Sequence, residues 1–238
     1  MKKPPKLNDD KATSVNAFLE KVAVAPMNKA PGAGGRLLFT LDATASRQPT
    51  WDRAAHLQTV MFETAAGLGG LEIQLAFFRG YREFKVSSWT DNCDALLRLM
   101  TSVTCLAGET QLGKILKHAR NEQKRHKIDA LVFVGDSFEE DIDVVGEIAG
   151  ELGLLGLPCF MFQEGSDRLT AFAFQQIAKL TAGAYHGFDM SSPDILLHLL
   201  KAVAVYASGG YAALQAHAVL EGGEAFLLTD QLAGKRDG

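Results

Sequence analysis

The 238 residues carry 24 Lys and Arg against 28 Asp and Glu, a net charge of -4, and 47% of them are hydrophobic. A chain of this length buries a large core without a disulfide or metal to hold it together, and it lacks the strongly basic field that marks a nucleic-acid or anionic-membrane surface. Cys93, Cys105 and Cys159 are too widely spaced for a Cys-x-x-Cys site and odd in number, so they read as buried reduced thiols.

Residues 1–35 differ from the rest. Pro4, Pro5, Pro26 and Pro31 punctuate them, PGAGG closes them, and Val15, Phe18, Leu19 and Val22 fall at helical spacing. The reading is a flexible leader with one short helix. Its start, MKKPPKLNDDKATSV, has no apolar signal core, and no run of about 18 uncharged apolar residues occurs anywhere, so a cytoplasmic protein is expected. Gly32, Gly34 and Gly35 precede the first strand, so no helix N-terminus lies behind them to take a phosphate.

Residues 37–41 are continuously apolar and predict a central strand covered on both faces. Pro49 and Thr50 open a helix with an apolar stripe that runs to about Gly67. A strand over 71–78 and a shorter edge strand over 83–89 follow, in which Tyr81 and Trp89 are expected to pack the hairpin. Asp91 is a candidate cap for a helix ending near Met100. A helix over 111–123, a buried strand over 128–134 and a helix over 139–152 come next. The acidic run FEEDID is read as first-turn residues that complement that helix dipole and face solvent. A strand over 158–162, a helix over 168–180, a strand over 184–188 and a helix over 193–207 complete the pattern, with His186 read as a structural histidine.

Strands alternating with helices predict an α/β fold, a doubly wound, mostly parallel sheet of about six strands with helices on both faces. The domain is expected over 36–207, and 208–238 reads as a C-terminal arm, helical in part. In such sheets ligands bind beyond the carboxyl ends of the strands, where the strand order reverses. The stretch RLLFTLDATAS ends its strand on Asp42 and then presents the hydroxyls of Thr44 and Ser46 at alternate positions. Asp136 falls at the end of another central strand, and Thr110 falls near a helix start on the same side. Hard oxygens from three loops make a candidate site for a hard cation.

These five positions, in this order on this frame, resemble the metal-ion-dependent adhesion site of the von Willebrand factor A-type domain, with its D-x-S-x-S, Thr and Asp. The resemblance covers roughly 36–207, and is to the type found in bacterial intracellular proteins. It implies Mg²⁺ or Mn²⁺ held by Asp42, Thr44, Ser46, Thr110 and Asp136. Thr44 and Ser46 would bind directly, Thr110 directly or through water, and the two Asp largely through water. A Glu or Asp of a partner protein would take the open position. The implied role is a non-enzymatic, metal-dependent interaction module, in a setting such as an accessory factor of an ATP-driven remodelling or cofactor-insertion system. The chain departs from the pattern in Thr44 for Ser and Ser137 for Gly. Arg47, directly after Ser46, brings a guanidinium able to compete with the ion for Asp42.

Three alternatives use other residues. Gly135-Asp136-Ser137 resembles the G-D-S block of a serine esterase family, with Asp194 and His198 as acid and base. However, those two are four apart on one helical face instead of in the D-x-x-H spacing. An aspartyl-nucleophile phosphatase needs a carboxylate where Thr44 stands. A metal-free interaction scaffold would use the same hydroxyls and carboxylates as loop caps.

Overall fold

The computed structural model describes residues 34–189 and 193–220, so the leader helix at 15–22 and the arm beyond 220 lie outside the described residues. Six strands are present among them: β1 Gly35–Asp42, β2 Leu71–Arg79, β3 Glu83–Val86, β4 Ala130–Gly135, β5 Cys159–Glu164 and β6 Ala184–Phe188. The helices are α1 Gln48–Ala66, α2 Cys93–Thr101, α3 Leu112–Arg125, α4 Ile142–Leu154, α5 Arg168–Leu180 and α6 Pro193–Leu220. The sheet order is β3-β2-β1-β4-β5-β6, with every neighbouring pair parallel except the β2–β3 hairpin.

Each central strand is apolar on both faces because helices cover both. On β1, Leu37, Phe39 and Leu41 join one buried cluster and Leu38 the other. Ala130, Val132 and Val134 alternate in the same way with Leu131 and Phe133, as do Phe160 and Phe162 with Cys159 and Met161. The first cluster is closed by α1, α2 and α6, and the second by α3, α4 and α5. Trp51 anchors the first: its indole N–H donates to the Met100 carbonyl at 2.8 Å and its ring meets Phe77 edge-on at 5.3 Å. Fully burying such a side chain contributes roughly 1.5–3 kcal/mol.

Several boundaries depart from the sequence reading, among them the edge strand read over 83–89, which ends at Val86. A short 3-10 turn, Ala45–Arg47, precedes α1. The cap of α2 is Asn92, whose side chain accepts from the Ala95 amide at 2.9 Å, and not Asp91. The cap of α4 is Asp141, so Glu139 and Glu140 stay in the loop. Helix α6 continues past Ala207 to Leu220, broken at Gly210, whose φ of 71° suits glycine.

Between β1 and β4 the order reverses: β2 and β3 lie to one side and β5 and β6 to the other. The crevice beyond their carboxyl ends is the topological switch point of the sheet. It is flanked by Asp42 at the end of β1 and Asp136 immediately after β4.

Candidate metal centre

Asp42 is 1% exposed. Its Oδ1 accepts the Thr44 amide at 2.7 Å, an Asx-type turn that bends the chain off β1 and fixes the carboxylate. Its Oδ2 is buried and has no hydrogen-bond partner among the described residues. Burial pushes the Asp42 carboxyl up to about 6; the Thr44 amide and hydroxyl oppose that shift, Asp136 adds to it and Arg47 opposes it. A buried acceptor left unsatisfied costs about 1–3 kcal/mol, so this oxygen is held at a cost to the fold.

Ser46 is exposed, and its hydroxyl donates to Asp136 Oδ2 at 2.8 Å. That bond joins the end of DATAS to the end of β4. Gly135 lets the two strand ends close up: a Cβ there would lie 2.7 Å from the Phe133 ring and 3.6 Å from the Asp42 Cβ.

Thr110 is buried and is held by the loop that carries Asp136. Its hydroxyl accepts the Glu139 amide at 3.1 Å, and its own amide donates to the Glu139 carboxylate at 3.3 Å. Next to it, Glu140 takes the Gly113 amide on both oxygens, at 3.2 and 3.0 Å, and so caps α3 from another loop. Its burial raises its pKa. The solvent-facing reading of FEEDID holds for Glu139, Asp141 and Asp143, which are exposed, with Asp141 and Asp143 at the start of α4, but not for the half-buried Glu140; Glu139 and Glu140 also bind the Asp136 loop to the Thr110 loop. No hydrogen bond among the described residues links Thr110 directly to Asp42, Ser46 or Asp136.

The 102–110 segment is also tied to DATAS, since the Leu106 amide donates to the Ala43 carbonyl at 3.0 Å and the Gly80 amide to the Leu106 carbonyl at 3.1 Å. Gly108 permits this approach, because a Cβ there would fall 2.1 Å from the Gly80 carbonyl oxygen. The β2–β3 turn is thereby brought to the rim, where Tyr81 is 86% exposed and Leu106 44%. The expectation that Tyr81 packs the hairpin is corrected. Trp89 does pack, against the second cluster, with its N–H on Glu122 at 3.1 Å and the Arg36 guanidinium 4.0 Å over its ring.

Sequence reasoning missed Glu164. It ends β5, and its Oε2 accepts from both the Arg47 Nη1 and the Thr50 hydroxyl. Arg47 is 2% exposed. The competition with the ion expected from Arg47 is thus met by a third carboxylate, 117 residues away in sequence. The available signal was Glu164 itself, a charge closing the apolar run CFMFQ at a strand's carboxyl end.

The donor set fits a hard divalent cation. Two carboxylates and three hydroxyls offer only oxygen, as Mg²⁺ and Mn²⁺ prefer, and Asp42 Oδ2, buried without a hydrogen-bond partner among the described residues, is an acceptor that a cation would satisfy. Among the described residues no three His, Cys, Asp or Glu side chains group as a metal site; this set relies on hydroxyls instead.

His198 is exposed on α6, and no hydrogen bond among the described residues connects it to Ser137. His186 is 4% exposed and lines a cleft of about 620 Å³ with Gln163, Arg168 and Tyr185, beside β6. No described helix is long and apolar enough to cross a membrane.

No family model matches the sequence, and no curated protein matches it either. Solved structures do match. The VWA domain of SpRpn10 superposes with a TM-score of 0.57 at 13% identity, over 71% of this chain and 94% of that one. The fold is that of a von Willebrand factor A domain. The vWF domain of the type V pili tip protein Mfa5 from Porphyromonas gingivalis is similar at 0.54 and 10% identity, over 74% and 95% of the two chains. The human COPII-coat protein Sec24c is similar at 0.57 and 10% identity; 77% of this chain matches 33% of that one. On this VWA fold, Asp42 ends β1, and Thr44, Ser46, Thr110 and Asp136 lie in the loops beyond the strands.

Proposed function

We propose that the chain is a metal-dependent protein-interaction module. Asp42, Thr44, Ser46, Thr110 and Asp136 hold Mg²⁺ or Mn²⁺, and the ion takes a Glu or Asp carboxylate from a partner protein. The observation that carries this reading is Asp42 Oδ2, buried and without a partner beside the Ser46–Asp136 bond.

The charge balance supports the same role. Two carboxylates offset the ion's double charge and no more, so the ion keeps its attraction for a further anionic oxygen. Such an ion supplies electrostatic attraction and a preferred oxygen geometry, while the chain's residues position it. Near it, exposed Tyr81 offers an aromatic contact of the kind enriched at interface hot spots, with exposed Leu106 beside the same turn. The company of the fold agrees: two of its solved relatives are described as a coat protein and a pili tip protein.

The module binds without turnover. The setting we propose is cytoplasmic, as an accessory factor of an ATP-driven remodelling or cofactor-insertion system, which rests on the resemblance of the motif alone. The test is capture of partners on immobilised protein with Mg²⁺, with EDTA, and with Asp42→Ala. Partners retained with Mg²⁺ and lost in both other arms support the reading. Equal retention in all three arms contradicts it.

A further inference from the structure

Carboxylates stand at the carboxyl ends of three adjacent strands: Asp42 and Glu164 end β1 and β5, and Asp136 follows β4. The register places Leu41 beside Val134 and Gly135 beside Gln163, so Asp42, Asp136 and Glu164 follow one another across the carboxyl edge of the sheet. The buried cation facing this row is Arg47. Its amide donates to the Thr44 carbonyl at 2.9 Å, which fixes its backbone one residue past Ser46. Its Nη1 donates to Glu164, and the Thr50 hydroxyl donates to the same oxygen and holds it in place. The Arg47 Nε is buried without a hydrogen-bond partner, and so is Asp42 Oδ2. A buried donor lacking an acceptor and a buried acceptor lacking a donor thus belong to one cluster. Each alone is unfavourable, and a guanidinium turned toward Asp42 would offer Oδ2 a donor. The contact that opposes this turn is the one to Glu164, with side chains 2% and 15% exposed.

We infer that Glu164 is a positioning residue for the metal site, holding the Arg47 guanidinium at the end of β5 and so keeping Asp42 Oδ2 open to a divalent ion. Arg47 is then a tethered competitor, and Glu164 decides whether it competes. The inference rests on the metal reading of the site. A bound divalent cation repels Arg47 toward Glu164, and the Arg47–Glu164 pair in turn favours the cation, because coupling between two binding events is reciprocal.

The test uses the whole chain and Mn²⁺ as the probe. Glu164→Gln is expected to weaken Mn²⁺ binding about ten- to a hundredfold in calorimetric titration, the range of a hydrogen bond to a charged group. Arg47→Met/Glu164→Gln, which removes the competitor too, is expected to bind Mn²⁺ as the wild type does. A metal-free crystal structure of Glu164→Gln is expected to show the guanidinium within hydrogen-bond distance of Asp42. The inference is overturned if Glu164→Gln binds Mn²⁺ like the wild type, if the double variant stays as weak as the single, or if the guanidinium keeps its place without Glu164. Should Glu164→Gln fail to fold, Glu164→Asp shortens the arm and carries the same expectations and the same overturning results. A wild type that binds no Mn²⁺ overturns the metal reading itself. In that case the metal-free structure still decides whether Glu164 holds Arg47 away from Asp42.

Discussion

The Ser46 hydroxyl donates to Asp136 Oδ2 at 2.8 Å across 90 residues of sequence. This bond connects the two ends of the candidate site, because Ser46 closes the D-x-T-x-S turn after β1 and Asp136 opens the loop after β4. It also holds an exposed hydroxyl against a partly exposed carboxylate, where a metal ion would draw on both. Ser46→Ala and Asp136→Asn should therefore be non-additive in their effect on metal-dependent stabilisation, with a coupling of about 0.5–3 kcal/mol. A double-mutant cycle on the Mg²⁺-induced shift in melting temperature measures it. Additive losses would show that the two residues act separately.

Asp42 makes a prediction of the opposite sign for stability and function. Burial raises its carboxyl from 3.8 to about 6. Through that window the folded state keeps a proton that the unfolded chain has lost, so the metal-free protein loses stability as pH rises from 3.8 to about 6. Asp42→Asn removes the buried charge and should be more stable than the wild type at pH 7.5 in EDTA, by about 1–3 kcal/mol. The difference should vanish toward pH 3.8. Denaturant melts at several pH values check this, and parallel pH profiles for the two proteins would contradict it.

Glu140 should matter through α3. It accepts the Gly113 amide on both oxygens, in place of a cap from α3's own N-terminus, where Gln111 makes no side-chain cap bond. Glu140→Ala leaves that amide without an acceptor and should cost about 1–2 kcal/mol in urea denaturation. Glu140→Gln keeps an acceptor oxygen and should lose less. Since Thr110 sits two residues before α3, Glu140→Ala should also reduce the metal response.

Ser137 separates the interaction reading from the esterase one. The Ser137→Ala protein should keep its full metal-induced stabilisation, and neither it nor the wild type should hydrolyse p-nitrophenyl acetate above background. Turnover by the wild type that disappears in Ser137→Ala would favour the esterase.

Much of the fold was legible because both faces of the central strands are covered. An apolar run such as LLFTL leaves little choice but a strand in a parallel sheet, and the helix over Arg168–Leu180 and the strand over Ala184–Phe188 end where their periodicity does. The candidate site was legible as an order of residue types along the chain, Asp42 to Ser46, then Thr110, then Asp136. What stayed hidden depends on pairs brought together by folding. Glu164 meets Arg47 only because β5 lies one strand beyond β4. Glu139 and Glu140 look like any acidic helix start until Asp141 takes the cap and frees them to hold Thr110 and Gly113. Helix α6 runs on beyond Ala207 because a glycine, Gly210, allows a break in place of a stop.

The central claim, that these oxygens hold a divalent cation, is tested most directly by melting the full chain in Mg²⁺ or Mn²⁺ against EDTA, beside Asp42→Ala. Ligand at about 100 times its dissociation constant stabilises by about 2.7 kcal/mol. For a domain of this size that is roughly 5–11 °C. The account predicts a shift of that order in the wild type, growing with ion concentration, and none in Asp42→Ala. A wild type whose melting temperature moves with neither ion, or a shift that survives in Asp42→Ala, would contradict it.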